Sequence, residues 1–430
     1  DTPYFNKTPS AGDRAKWTFS CWFKLGNIPG ASSTHGILVS GGASADQSTI
    51  RIDGQVIDWV EWDQSGSATQ GRLITNRVFR DPTAWYHLVC TWDSDNGTEG
   101  SRMKMYINGV RETSFSTGTY PTSGYDSAMN SNVLHEIGRQ SWNSSQYFDG
   151  YFAEMAFCDG QAYAASDFGE FNSDSPTIWQ PKDISGLTFG SRGWYLDFED
   201  SGDLDDDESG NGNDWTANNL AAADQCIDSP TNNLCTLNPL HMSDPSANYF
   251  VDNGNNTLEA TNNDQERQTG ATIHPQGIKG YFEFKILTDN NWRVALLADG
   301  AGLAKDNYTA LASGQQYGLD SSGNLAYSND GSSTYLTSGY TSSPANGNII
   351  GCAFDFTGSN RNVWFHLNGT YGNNGSGVGV PADGDYPGLT STQLSTANEY
   401  EFVFVCNTGG SSASIGLNFG NGSFDGTAIS

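Results

Sequence analysis

Apolar and polar residues alternate with period two along most of this chain, the pattern of half-buried β-strands. Trp17, Phe19 and Cys21 share one face of the first clear run, and Arg72–Phe79, Trp85–Trp92 and Phe152–Cys158 repeat the device. Met103, Met105 and Ile107 alternate up to Asn108-Gly109. That dipeptide accepts the positive φ angles of a type I′ turn, so a hairpin is predicted there. The same order returns near the end, where Val363, Phe365 and Leu367 lead into Asn368-Gly369. The preceding strands echo each other: Leu88-Val89-Cys90-Thr91-Trp92-Asp93 against Ile350-Gly351-Cys352-Ala353-Phe354-Asp355. Two antiparallel sandwiches of related architecture are therefore expected, over 1–172 and 246–430.

Residues 173–245 differ in character. Pro176, Pro181, Pro230 and Pro239 and the acidic run Asp200–Glu208 mark a connector between the halves. Trp194–Phe198 predicts one more strand inside it, and Leu220 and Leu234 supply apolar anchors, so a structured connector is expected. No long helix is predicted; Ala162–Phe168 is the best short candidate. Aromatics at 12 % beside 51 glycines support the all-β reading, since short aromatic strands alternate with tight turns.

Charge narrows the function. With 49 acidic against 20 basic residues the net charge is −29, a field that repels nucleic acid and anionic membrane surfaces. Only 16 % of residues are charged, so the surface is largely amide and hydroxyl, which suits sugars. No apolar run is long enough to span a bilayer, so no membrane insertion is expected. The chain opens at Asp1 without a leader pattern, as expected if a leader is removed or the numbering starts inside a longer chain.

Seven cysteines cannot all pair internally. Cys21, Cys90, Cys158, Cys352 and Cys406 sit in apolar strand runs and are read as small buried hydrophobes. Cys226 and Cys235 lie in a polar loop and could close a disulfide in a chain that matures outside a reducing cytosol.

Catalytic chemistry finds little footing. Glu61-Trp62-Asp63 is the nearest approach to a glycosidase carboxylate pair, but Gly66 stands where a third acid is expected; Asp197 and Glu199 open an acidic loop. The six histidines show no metal-ligand spacing, and His87 and His366 read as partly exposed cross-strand residues. Asp203, Asp205 and Asp207 alternate as a calcium loop would, yet the twelfth position is Thr216 rather than a bidentate Glu. Either a structural loop or a weak calcium site fits; calcium is the one cofactor this pattern admits. For glycans the candidates are loop aromatics beside amides: Trp142 and Tyr147 around Asn143–Gln146, and Trp292 after Asp289-Asn290-Asn291. The Asn-x-Ser/Thr sequons at Asn6, Asn96, Asn143 and Asn307 would be glycosylated in a eukaryotic secreted protein and are otherwise accidents of composition.

At several of these segments the chain resembles known families. Trp17–Phe23, Trp85–Val89, Met105–Gly109 and Phe148–Glu154 resemble laminin G-like, concanavalin A-like domains. Gly280–Phe284, Ile349–Asp355, Phe365–Gly369 and Leu417–Gly420 resemble a SPRY domain. Both are jelly rolls. Their order, with Val78–His87 and Cys235–Leu240, is similar to virion surface proteins of tailed phages from aquatic bacteria. The resemblance implies a non-enzymatic tail fibre, head fibre or capsid decoration on the virion surface. Its implied partners are cell-surface glycans, other virion proteins and further copies of itself as a homo-oligomer. The alternatives are a secreted polysaccharide-active enzyme of the same fold and an extracellular adhesion protein of a cellular organism.

Overall fold

A computed structural model describes residues 2–140, 143–243, 249–252, 254–260, 267–289, 291–303, 315–329, 332–406 and 412–420. Among these the regular structure is antiparallel strand apart from three single turns of 3₁₀ helix, one of which, Ala165–Asp167, occupies the expected helical stretch. The chain divides into two compact units, 1–233 and 234–430.

The first unit is a sandwich of an eight-stranded and a six-stranded sheet. Lys16–Leu25 lies inside the six-stranded sheet, paired with Gly150–Asp159 on one side and Trp85–Asp93 on the other. Its alternation decides what faces the core. Trp17, Phe19, Cys21, Phe23 and Leu25 point inward, where Trp17 packs against Trp59 and Trp92 at centroid distances of 5.6 and 6.1 Å. The indole N–H groups of these three tryptophans find no acceptor among the described residues. Each costs about 1–3 kcal/mol unpaired, which the burial of such large rings offsets.

The other face of Lys16–Leu25 carries Thr18, Ser20, Trp22 and Lys24, and all four are buried as well. Residues 161–190 and 228–233 lie over it as a third layer, with Ala165, Phe168, Ile184 and Phe189 packed on Val89, Ala156 and Cys158. Polar groups under this cover need partners inside the protein. Thr18 Oγ1 donates to the Gln161 carbonyl at 2.8 Å. Lys24 Nζ donates to Asp228 Oδ2 and Asn233 Oδ1, both at 2.8 Å, and Trp85 Nε1 donates to Asp228 Oδ1 at 2.8 Å.

The segment 173–245, expected to be a structured connector, is thus shared out. Trp194–Leu196 extends the six-stranded sheet beside Gly150–Asp159, and Thr216–Asn218 extends the eight-stranded sheet beside Tyr4–Lys7. Leu237–Met242 already pairs with Arg267–Ala271 in the second unit. The reason is the uncovered outer face of Lys16–Leu25, which draws the chain back across it before the second sandwich begins.

The second unit stacks two seven-stranded sheets. Phe284, Trp292, Leu296, Cys352, Phe365, Phe404 and Ile415 are among the residues filling the space between them. Both predicted hairpin tips form as two-residue turns: Asn108 and Gly109 have φ of +47° and +79°, Asn368 and Gly369 +49° and +82°. The five strand cysteines are all buried.

Replacing Asp228 by Asn leaves Lys24 as an uncompensated charge with no exposed side-chain surface. Breaking a buried pair in this way costs about 3–5 kcal/mol. The denaturant transition of the first unit should fall accordingly, whereas the double variant Lys24→Met/Asp228→Leu should recover much of the loss. Equal destabilisation by both would show that the ion pair is not what the strap contributes.

Candidate functional site

The residues singled out for sugar stacking separate. Trp142 lies outside the described residues. Tyr147 is half-buried; its ring meets Tyr4 at 6.2 Å, and the Arg139 guanidinium lies 3.6 Å from the Tyr4 ring centroid. Trp292 is not a loop residue: it opens the strand Trp292–Ala298, is 2 % exposed and meets Phe284 edge-on at 5.1 Å. Packing in the core removes it from any ligand surface.

Asp203, Asp205 and Asp207 do not converge on a common point. Asp207 accepts the backbone N–H groups of Tyr195, Ser209 and Asn213 at 2.7–2.9 Å. Asp205 accepts from Ala217 N–H at 2.6 Å. Their loop therefore ties Trp194–Leu196 in one sheet to Thr216–Asn218 in the other. Asp203 lies beside Asp205, whose carboxylate raises its pKa. Among the described residues no group of three or more His, Cys, Asp or Glu is placed to hold a metal.

The Cys226–Cys235 pairing does not form; both are free thiols, one in each unit. Cys226 Sγ is directed at the Asp228 carbonyl at 3.9 Å, and Cys235 Sγ accepts from Thr272 Oγ1 at 3.7 Å. Cys226 is thus held within its own turn and Cys235 by a segment 37 residues further on.

Glu61 faces inward and is fully buried, accepting from Ser127 Oγ at 3.0 Å and from the Ala128 N–H. Asp63, two residues on, turns outward to cap Ser65 and Gly66. A register shift between Glu61 and Trp62 separates the two carboxylates, so they do not form a glycosidase pair. His87 and His366 prove buried rather than half-exposed. His87 is clasped between Trp22 at 4.6 Å and Trp179 at 6.0 Å, with Nε2 bonded to Ser20 Oγ and Nδ1 accepting from Trp179 Nε1. The third layer, which strand alternation does not announce, is the cause. His366 Nε2 meets Tyr281 Oη at 2.7 Å.

Among the described residues two concave sites, neither visible as a motif, offer a polar lining. At one end of the first sandwich, loops from four parts of the sequence form an open cleft of about 560 Å³. Arg14, Ser44, Asp46, Gln64, Ser65 and Asn132 are among its lining residues. Its loops are braced from behind: Asp46 accepts from Gln64 N–H at 3.0 Å, and Arg14 Nε donates to the Ser127 carbonyl at 2.6 Å. The second site is a pocket of about 390 Å³ in the second unit, around His241, His274, Asp299 and Glu401. These histidines stand 33 positions apart in the sequence, and Glu401 follows far downstream, so spacing gave no signal.

Residues 3–165 match the family described as the concanavalin A-like lectin/glucanases superfamily, and the first sandwich is a concanavalin A-like domain. No curated protein matches the sequence. Among solved structures, the SPRY domain of human HERC1 is similar at 14 % identity and TM-score 0.29, covering 43 % of this chain and 97 % of that one. A Bacteroides ovatus protein provisionally assigned to carbohydrate binding shows 14 % identity and TM-score 0.33, with coverages of 51 % and 57 %. A heptameric SAP-like pentraxin from Limulus polyphemus shows 13 % identity and TM-score 0.29, with coverages of 38 % and 72 %.

Burial pushes the Glu61 carboxyl up to about 7 from its ordinary 4.5. The folded protein then keeps a proton that the unfolded chain releases, so this group's contribution falls as pH rises from about 4.5 to about 7. Its slope is about 1.4 kcal/mol per pH unit. Burial acts oppositely on His87 and His135, lowered to about 3 and about 4, whose contributions fall as pH drops below their ordinary 6.5. The measurement is therefore a difference. Unfolding free energy of Glu61→Gln minus wild type should rise across pH 4.5–7, and a flat difference would show that Glu61 ionises normally.

Proposed function

We propose that this chain is a non-enzymatic virion surface protein that holds glycans, with the loop-end cleft of the first sandwich as its principal site. The cleft carries the reading. Gln64 and Asn132 supply amides, Ser44 and Ser65 hydroxyls, and Arg14 with Asp46 one charge of each sign, the mixture that meets sugar hydroxyls as both donor and acceptor. A lectin-type fold is consistent with that chemistry. Loops at a sandwich end are free to carry contacts because the strands are committed to the core. The virion placement is supported by the resemblance of Val78–His87, Phe148–Glu154 and Cys235–Leu240 to phage surface proteins, and by a net charge of −29 that keeps a densely displayed protein soluble.

An open polar cleft binds each glycan weakly. Attachment then depends on many copies, which raise avidity by about 10²–10⁴. A multimerised full chain should bind a subset of cell-surface glycans on an array, and Gln64→Ala/Asn132→Ala should reduce the signal about tenfold. Undiminished binding by the variant would move the site elsewhere, and no binding at any valency would leave a purely structural role on the particle.

A further inference from the structure

The pocket around Glu401 is an irregularity with a mechanical origin. Leu237 pairs with Ala271 and Met242 with Thr269, so five steps along the edge strand face two along its neighbour. The excess residues bow outward, and Pro239 suits an edge strand that gives up a ladder hydrogen bond there. Asn238, Leu240 and His241 on the bow, Ala271 at the end of the neighbouring strand and His274 beyond it, and Asp299 and Glu401 enclose about 390 Å³, within the range of small-ligand pockets.

The interior is held in position. His241 Nε2 donates to Glu401 Oε1 at 3.0 Å, fixing the carboxylate. Gly270 makes room for this pair: a Cβ there would lie 2.3 Å from the His241 ring and 3.0 Å from Glu401 Oε2. Across the pocket His274 Nε2 stands 3.9 Å from Glu401 Oε2, too far for a direct hydrogen bond. That leaves an acceptor and an imidazole nitrogen facing one gap. With that nitrogen carrying its proton, a hydroxyl donates to the first while accepting from the second, whereas an ammonium only donates and a phosphate only accepts. Among the described lining residues there is no Lys or Arg, and Asp299 adds a second carboxylate, which disfavours anionic sugars. Leu240, 56 % exposed, and Ala271 offer apolar surface for the C–H face of a ring.

We propose that this pocket is a second sugar subsite, taking a neutral, hydroxyl-bearing sugar residue between Glu401 and His274. The inference rests on the glycan-binding reading but uses none of the residues of the first cleft. The second sandwich then contributes contacts of its own, so one chain grips a glycan surface at two chemically different points.

Saturation-transfer NMR on the full chain with glucose, galactose, mannose and N-acetylglucosamine, and with glucuronate as the anionic control, tests it. At least one neutral sugar should receive saturation and glucuronate much less. Glu401→Gln and His274→Ala should each weaken that signal about tenfold, the size expected for losing a hydrogen bond to a charged group. His274 is exposed, so its variant should melt with wild type and report on binding alone. Gln64→Ala/Asn132→Ala should retain the pocket signal. Loss confined to that first-cleft variant overturns the second subsite while the glycan reading stands. Absence of saturation from every neutral sugar in every form removes both. Glucuronate outcompeting the neutral sugars would also overturn the assignment.

Discussion

Burial of Lys16–Leu25 on both faces is the constraint on which the first unit depends. One face is an ordinary sandwich interior of Trp17, Phe19, Cys21 and Phe23. The other places Thr18, Ser20 and Lys24 under cover, and a covered polar group must be matched or it costs more than its neighbours return. Gln161, Tyr163, His87, Asp228 and Asn233 supply those matches from well beyond the strand. The path of 161–233 follows from this need. It wraps the sheet, lends each sheet an edge strand and returns to close on Lys24 before the second unit starts.

The same economy governs the charges. Most of the acidic excess lies where water screens it, but the acids that are buried have specific work. Asp58, with no side-chain exposure, is bridged by Arg51 at 2.7 Å and Arg72 at 2.8 Å across neighbouring strands. Asp207 satisfies three backbone amides at the corner between sheets. Glu61 anchors the long crossing near Ala128. Carboxylates that could suggest metal binding or catalysis when read singly are thus consumed in holding loops to strands.

Both concave sites arise where regular pairing stops. In the first sandwich the cleft lies between turns that overshoot the strand ends, and in the second the pocket lies behind an edge strand out of register with its neighbour. Regular strands leave no cavity, because neighbours 4.7–4.9 Å apart fill the space between them. Irregular ones create a hollow and aim side chains into it.

The sequence by itself determined the class of fold, the two-sandwich division and the hairpin tips, because these are local. Period-two alternation gives strands, and Asn-Gly takes positive φ whatever surrounds it. It also placed the five strand cysteines inside. It could not show that the outer face of Lys16–Leu25 is covered, since Thr-Ser-Trp-Lys alternating with aromatics reads as a solvent face. His87 therefore read as partly exposed, and residues 173–245 as a structured connector between the sandwiches rather than as part of them. Trp292 read as a loop aromatic because Asp-Asn-Asn precedes it, yet tertiary packing sets its ring against Phe284. Both hollows were decided by tertiary structure alone. Gln64 and Asn132, or His241, His274 and Glu401, meet only when separate strands and loops close around one space, and spacing along a chain carries no record of that meeting.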